Sequence, residues 1–262
     1  MTHAANPAPL LDMRGCTIRF GGLTAVNAVN WDVYPGEVVA LLGDNGAGKS
    51  TLVKCVSGVH LAEEGEIWFE GKLSRFARPI DARQEGIETI YQDLALANNL
   101  DVPANIFLGR ELKNRHLGGL INTLDNKTML LEAHAGLDAL DIQFPSLTQP
   151  IESLSGGQRQ AVAIARAIYW KARLMIMDEP TNNLGVPEQH KVLELIGKLK
   201  RQGVPVVLIT HTMPDVFAVA DRIVVMHRGR IVTEKKTADT NAAELVQYMV
   251  GALDDTATAS AA

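Results

Sequence analysis

The sequence predicts an α/β fold in which a parallel sheet carries a phosphate-binding loop. A continuous apolar run, Val38 to Leu42, precedes a loop of the pattern G-x-x-x-x-G-K-[ST] that begins at Gly43. A second apolar run, Leu174 to Met177, ends in the carboxylates Asp178 and Glu179. Such runs are typical of parallel strands covered on both faces, and ligands bind at the carboxyl ends of these strands.

The first half of the chain contains two segments with different apolar patterns. Between Gly15 and Gly71, short β-like runs and Gly/Pro turns surround one helix, which predicts a β-rich edge. From about residue 93 to residue 153 apolar residues recur at helical spacing, which predicts an inserted helical subdomain. The residues with this spacing are Met129, Leu130, Ala133, Leu137 and Leu140.

The rest of the chain returns to alternating strands and helices. This alternation begins after Gly157, and Arg222 to Lys235 predicts a terminal hairpin that turns at Arg228-Gly229. We therefore expect one domain over residues 10–251. Residues 1–9 and 252–262 are small and polar without periodicity, so they are predicted to be disordered tails.

The glycine-rich loop predicts a nucleotide phosphate site. Its glycines allow backbone N–H groups to turn toward a phosphate, and the helix that begins near Lys49 directs its positive end at the same anion. Lys49 is predicted to reach the β- and γ-phosphates, and the hydroxyl of Ser50 to ligate Mg²⁺. The nucleotide-binding residues predicted in this loop are Gly43, Asn45, Gly46, Gly48, Lys49, Ser50 and Thr51.

A second motif narrows the class of protein, because phosphate loops alone occur in kinases, GTPases, helicases and transporters. The run Leu154-Ser155-Gly156-Gly157-Gln158-Arg159-Gln160 resembles the signature of ATP-binding-cassette (ABC) ATPases. Gln92 matches the Q-loop, Asp178 and Glu179 match Walker B, and His211 matches the switch histidine. The resemblance runs from about residue 11 to residue 251. It implies a P-loop NTPase fold with a parallel core sheet, a β-rich nucleotide-binding edge and an inserted helical subdomain.

The same resemblance implies roles for single residues and the cofactors ATP and Mg²⁺. Asp178 would hold Mg²⁺ through a water, with Ser50 and Gln92 as further metal contacts. Glu179 would polarise the attacking water, and His211 would orient it. Phe20 stands where the family places a ring against adenine, although an aromatic residue in a half-buried strand is the alternative. Without the motif order, Gln92 and His211 would predict only a solvated loop residue and a structural histidine.

The signature implies a dimer. Ser155, Gly156, Gly157 and Gln158 begin a helix, predicted over about residues 157–170, whose free N–H groups suit an anion. In the family, the phosphate loop of one copy and the signature of another enclose each ATP. Because the chain has one of each, we expect a head-to-tail C2 homodimer.

The resemblance also indicates partners. Gln92 to Leu96 and Asn105 to Glu111 are similar to the single-cassette subunit of fructose- or ribose-type carbohydrate importers. This implies membrane permease subunits, indirectly an extracytoplasmic solute-binding protein, and a peripheral position at the cytoplasmic face of the membrane. Phe20 to Val26 is equally similar to branched-chain amino-acid importers, which remain an alternative. Two further alternatives for the function are a soluble ATPase acting on DNA or ribosomes and a nucleotide-binding regulatory module with little turnover.

Composition agrees with this interpretation. The 262 residues are 47% hydrophobic, which is enough for a large core, and no apolar run of about 18 residues or leader-like N-terminus is visible. A net charge of −5 argues against a broad nucleic-acid footprint, so no nucleic-acid partner is expected. Cys16 and Cys55 form no C-x-x-C pair, which fits a reducing compartment.

One loop departs from the resembled family. Gly185 stands where many cassette ATPases have an aspartate, and Asn182-Asn183 stand where the sugar importers have two alanines. We expect the two amides to face water, with hydrogen bonds across a dimer as the alternative.

Overall fold

The computed structural model describes residues 8–116, 121–138, 144 and 146–256. Its strands are β1 (Leu11–Phe20), β2 (Leu23–Val33), β3 (Val38–Gly43), β4 (Glu64–Phe69), β5 (Lys72–Ser74), β6 (Ile87–Ile90), β7 (Lys113–His116), β8 (Ile121–Leu124), β9 (Leu174–Asp178), β10 (Val206–Ile209), β11 (Arg222–His227) and β12 (Arg230–Lys236). Its α-helices are α1 (Lys49–Val56), α2 (Pro79–Gln84), α3 (Val102–Ile106), α4 (Asn126–Asp138), α5 (Gly156–Tyr169), α6 (Val186–Arg201), α7 (Met213–Val219) and α8 (Ala242–Met249).

The central sheet has the strand order β12-β11-β3-β10-β9-β6, and its strands run parallel except for β12. Successive residues of β9 pack on opposite faces. Met175 and Met177 join the core beneath α5 and α6, whereas Ile176 joins the core beneath β1, β2 and α1. Burial on both faces explains why the strand is apolar without alternation. The predicted α/β fold class with a parallel core is confirmed.

The β-rich edge is an antiparallel sheet with the strand order β2-β1-β4-β5. The hairpin between β1 and β2 pairs Phe20 with Leu23 and turns through the two intervening glycines. This turn brings Phe20 to the same side of the molecule as the loop between β3 and α1.

The segment from residue 93 to residue 153 differs in part from the sequence prediction. It contains α3 and α4, and it also contains the β7–β8 hairpin, which the sequence analysis did not predict. On α4, Met129, Ala133 and Leu137 are buried and Leu130 is half-buried, while Leu140 lies outside the described residues. The hairpin strands, Lys113–His116 and Ile121–Leu124, are short and mostly polar, so they give no period-two apolar signal.

The ends of the domain also differ from the prediction. Residues 1–7 and 257–262 of the predicted tails lie outside the described residues. Asp255 belongs to the predicted C-terminal tail, yet it accepts hydrogen bonds from the Thr233 hydroxyl at 2.5 Å and the Tyr248 hydroxyl at 2.7 Å. The ordered domain therefore extends beyond residue 251. No helix in the described part of the chain has the length and apolar character needed to span a bilayer.

Candidate active site

A cleft of about 610 Å³ lies between the β-rich edge and the loop that joins β3 to α1. Its lining consists of Phe20, Leu23, Thr24, Ala25, Asn45, Gly46, Ala47, Gly48, Lys49, Ser50, Thr51, Arg228 and Gly229. Gly48 has φ 103°, and a Cβ there would lie 2.5 Å from the carbonyl oxygen of Ala25. A Cβ on Gly43 would overlap the carbonyl oxygen of Met226. The loop conformation therefore requires glycine at both positions.

Lys49 begins α1 and folds back over the loop. Its Nζ donates hydrogen bonds to the carbonyl oxygens of Gly43 at 2.8 Å and Asp44 at 3.1 Å. Burial lowers the pKa of its amine, and the carboxylates of Glu179, Asp178 and Asp44 raise it in part. The amine is thus held beside the loop, close enough to Asp178 and Glu179 to interact electrostatically.

Asp178 and Glu179 lie at the carboxyl end of β9. Burial raises the pKa of the Asp178 carboxyl, and the charge of Glu179 raises it further, while Lys49 opposes both. Glu179 has a left-handed φ of 51°, and its N–H donates to the carbonyl of Ile209 at 2.8 Å. This backbone bond fixes the glutamate against the end of β10, the strand that precedes His211.

His211 contacts Glu179 directly. Its Nδ1 donates to the Oε1 of Glu179 at 2.8 Å, and the imidazole is otherwise largely exposed. The other carboxylate oxygen of Glu179, Oε2, is buried and has no hydrogen-bond partner in the described part of the chain. A carboxylate with one oxygen held and one oxygen free is suited to accept a proton from a water molecule.

Phe20 is the aromatic wall of the cleft. Its ring is 46% exposed and packs edge-to-face against His60, with ring centroids 5.1 Å apart. No motif in the sequence indicates a role for His60. In the structure this histidine supports one side of the Phe20 ring while part of the ring remains accessible to a ligand.

The signature residues lie at the start of α5 and do not line the cleft. Ser155 and Gln158 form a capping box, in which the Ser155 hydroxyl accepts from the Gln158 N–H at 3.3 Å and the Gln158 Oε1 accepts from the Ser155 N–H at 3.0 Å. Ser155 is exposed, and Gly156 and Gly157 follow it in the first turn. The structure therefore separates the predicted signature contacts from the phosphate loop within one chain.

Gln92 follows β6, which pairs with β9, so it lies at the same edge of the sheet as Asp178. Its side chain is exposed, and it makes no hydrogen bond to Asp178 or Glu179 among the residues that the structure describes. Arg166 of α5 holds the segment after Gln92, because its guanidinium donates to the carbonyl of Ala95 at 3.1 Å. The Q-loop is thereby tied to the helix that carries the signature.

The family model described as ABC transporter matches residues 26–182 of this chain. The chain belongs to the ABC transporter family. The xylose/arabinose import ATP-binding protein XylG of Sulfolobus acidocaldarius is 49% identical over 92% of this chain and 93% of its own length. The fructose import ATP-binding protein FrcA of Rhizobium meliloti is 46% identical over 93% of this chain and 95% of its own length. The ribose import ATP-binding protein RbsA 2 of Escherichia coli O157:H7 is 42% identical over 94% of this chain, which spans only 47% of that relative.

A solved structure of an ABC transporter cassette, MJ1267, has a TM-score of 0.79 and 25% identity, and covers 92% of this chain and 98% of its own. Its ADP conformation has a TM-score of 0.75, with 93% of this chain and 95% of its own covered. These similarities confirm the P-loop NTPase fold that the ABC motifs implied.

The ABC motif residues fit a nucleotide with a divalent cation. Asp178 and Glu179 are half-buried, the pKa of Asp178 is raised by burial, and the Oε2 of Glu179 has no hydrogen-bond partner among the described residues. The Ser50 hydroxyl lines the adjacent cleft. Carboxylate and hydroxyl oxygens are the ligands that Mg²⁺ prefers, and the glycine-rich cradle leaves space for a phosphate.

One buried contact near this ABC site could not be found from the sequence. Thr181, two residues after Glu179, donates its hydroxyl to the Oδ2 of Asp215 at 2.6 Å, and both residues are buried. Asp215 lies on α7, just after His211. The bond joins the loop that carries Glu179 to the helix after His211, and no spacing in the sequence pairs these two residues.

Thr181→Val is expected to lower the free energy of unfolding by about 2 kcal/mol, because it removes the hydroxyl donor from a buried carboxylate. Thr181→Ser keeps the donor and is the matched control, so it should lose less stability. Guanidinium unfolding of the three proteins measures both differences. Identical unfolding midpoints for the valine variant and the wild type would show that the bond does not stabilise the fold.

Proposed function

We propose that this ABC protein is the ATP-binding and ATP-hydrolysing subunit of an importer for a sugar of the xylose, fructose or ribose type. One observation carries the sugar assignment: two relatives named as sugar import ATP-binding proteins are 46% and 49% identical to this chain over more than nine-tenths of both lengths. The Glu179–His211 pair beside Lys49 supplies the groups that ATP hydrolysis needs.

The residues of the cleft would bind different parts of ATP. Phe20 stacks against the base, and the N–H groups of the glycine-rich loop bind the phosphates. Lys49 exchanges its hydrogen bonds to Gly43 and Asp44 for bonds to the β- and γ-phosphates. The same loop orders the phosphate chain so that its terminal group points toward the end of β9.

The end of β9 would carry the hydrolytic step. Glu179 accepts a proton from the attacking water at its free Oε2, while His211 holds Oε1 and fixes the direction of the carboxylate. Ser50, Asp178 and Gln92 are the residues that would hold Mg²⁺. When bound, this cation neutralises charge on the phosphate oxygens. Loss of the terminal phosphate removes the anion that Lys49 binds.

A homodimer would complete each site. The exposed N-terminus of α5, with Ser155, Gly156 and Gly157, offers N–H groups to an anion but lies outside the cleft of its own chain. A second copy in a head-to-tail arrangement would bring this surface over the phosphates, so two nucleotides would hold the dimer closed. Asn182 and Asn183 are exposed in the single chain, where they could face water or the second copy.

The proposed partners are permease subunits in the membrane and, through them, an extracytoplasmic solute-binding protein. The chain would sit at the cytoplasmic face of the membrane, held by the permease. Opening and closing of the dimer would then move the permease between two states.

The test is ATP hydrolysis by this chain reconstituted with its permease in proteoliposomes. Solute-binding protein loaded with xylose, fructose or ribose should stimulate hydrolysis, whereas the unloaded binding protein should not. Stimulation by a branched-chain amino acid instead would favour the alternative importer. Stimulation by DNA or ribosomes without a permease would contradict the transport function.

A further inference from the structure

The turn between β11 and β12 has a conformation that its sequence does not favour. Arg228 has φ 47° and Gly229 has φ 80°, and the two residues form the centre of a two-residue hairpin turn. Turns with two left-handed central residues favour Asn-Gly or Asp-Gly, because Cβ crowds the backbone in this conformation and only the short polar side chains of Asn and Asp offset it by local hydrogen bonds. Arg228 is thus unfavourable for the turn itself, and a contact made by its side chain would offset this cost.

This turn is fixed against the phosphate loop. The Gly229 N–H donates to the carbonyl of Ala47 at 2.8 Å, and the Gly229 carbonyl accepts from the Asn27 N–H at 2.8 Å. One bond reaches the phosphate loop and the other reaches β2, so the turn bridges the two walls of the cleft. Arg228 therefore has a defined place beside the phosphate loop.

Arg228 and Lys49 are the two cationic residues among those that line the cleft. Lys49 is bound to the loop carbonyls. Arg228 is exposed, and its guanidinium has no ion pair or hydrogen bond to any residue that the structure describes. By contrast, Arg222 on the same hairpin is bound to Asp32, Glu37 and Glu234.

We propose that Arg228 binds the phosphate chain of the nucleotide as a second cation, placed on the opposite side of the phosphate loop from β9. A guanidinium recognises phosphate through charge-assisted hydrogen bonds, and the strained turn keeps this group at the cleft. The ligand class is a nucleoside diphosphate or triphosphate. This inference rests on the proposed function, because it assigns one more contact to the same nucleotide.

The experiment measures the affinity of the purified chain for ADP with Mg²⁺ by calorimetry, at low and at high salt. Arg228→Asn removes the cation and creates an Asn-Gly turn, so the variant should unfold at the same temperature as the wild type or a higher one without nucleotide. Its ADP affinity should fall about five- to tenfold at low salt, and the difference should shrink at high salt. Lys236→Gln is the matched control, because Lys236 is exposed on the same hairpin but does not line the cleft.

The outcomes distinguish a failure of the Arg228 role from a failure of the proposed function. If the wild type binds ADP and Arg228→Asn binds it equally well, the role of Arg228 is wrong and the proposed function stands. Equal losses in Arg228→Asn and Lys236→Gln would also overturn the role, because a general charge effect would then explain both. If the wild type binds neither ADP nor ATP, the proposed function fails, and the role of Arg228 fails with it.

Discussion

Replacing Glu179 with glutamine is expected to lower steady-state ATP hydrolysis at least about 100-fold while ATP affinity stays close to that of the wild type. Glutamine keeps the shape of the side chain and an oxygen for the 2.8 Å contact with His211. It cannot accept a proton at the position of Oε2, the buried atom without a partner. The change therefore removes the base without removing the phosphate site.

Phosphate release under saturating ATP measures this effect, and nucleotide titration measures the affinity. Glu194→Gln is the control, because it makes the same change of charge at an exposed position on α6, away from the cleft. It should hydrolyse ATP at the wild-type rate. Hydrolysis by the Glu179 variant within twofold of the wild type would refute its assignment as the base.

Replacing Lys49 with alanine is expected to weaken ATP binding about 10- to 100-fold, because charge-assisted hydrogen bonds to the phosphates are lost. Among the described residues, the hydrogen bonds of the half-buried amine go to two carbonyl oxygens, at 2.8 and 3.1 Å, so it is available for a stronger acceptor. Burial lowers the pKa of this amine, and an anion placed beside it would raise that pKa again.

Titration with a non-hydrolysable ATP analogue tests this prediction. Lys72→Ala, on the exposed strand β5, is the control for loss of one lysine and should bind the analogue normally. Thermal unfolding without nucleotide shows whether the Lys49 variant remains folded. A folded Lys49 variant with wild-type affinity would exclude Lys49 as a phosphate ligand.

The sequence predicted the centre of this fold because local and tertiary requirements agree there. All residues of β10 are apolar, and β3 and β9 are apolar up to their last residues, Gly43 and Asp178. Such strands have few alternatives to a covered parallel sheet. Since β9 and β10 are neighbours, Asp178 pairs with Ile209 at the end of β10. Glu179 and His211 follow shortly after these two paired residues. The resemblance to ABC ATPases indicated that the carboxylates and the histidine would act together, and the pairing of β9 with β10 brings them into contact.

Other features depended on contacts that no pattern encodes. Thr181 and Asp215 are 34 residues apart, and the tertiary fold brings α7 next to the loop after β9, where their side chains meet. The β7–β8 hairpin is polar and short, so its strands lack the alternating apolar pattern that would predict their pairing. The turn at Arg228-Gly229 was predicted as a turn, but its place beside the phosphate loop follows from the parallel pairing of β11 with β3.

Gln92 and the signature remain predictions for a related reason. Gln92 lies at the correct edge of the sheet, but its exposed side chain has no described contact with the carboxylates. Ser155 caps α5 and faces outward. Both assignments concern contacts with a nucleotide or a second chain, which the sequence of one chain indicates only through resemblance.

We propose that a second copy completes the two half-sites of each chain, and the molar mass of the Glu179→Gln protein in solution tests this dimer. Light scattering should show a monomer without nucleotide and a dimer with ATP and Mg²⁺. Adding Ser155→Arg should abolish the dimer while nucleotide titration shows that ATP still binds. A protein that binds ATP yet stays monomeric would contradict the proposed homodimer. Equal dimerisation with Ser155→Arg would contradict the role of the Ser155 surface in it.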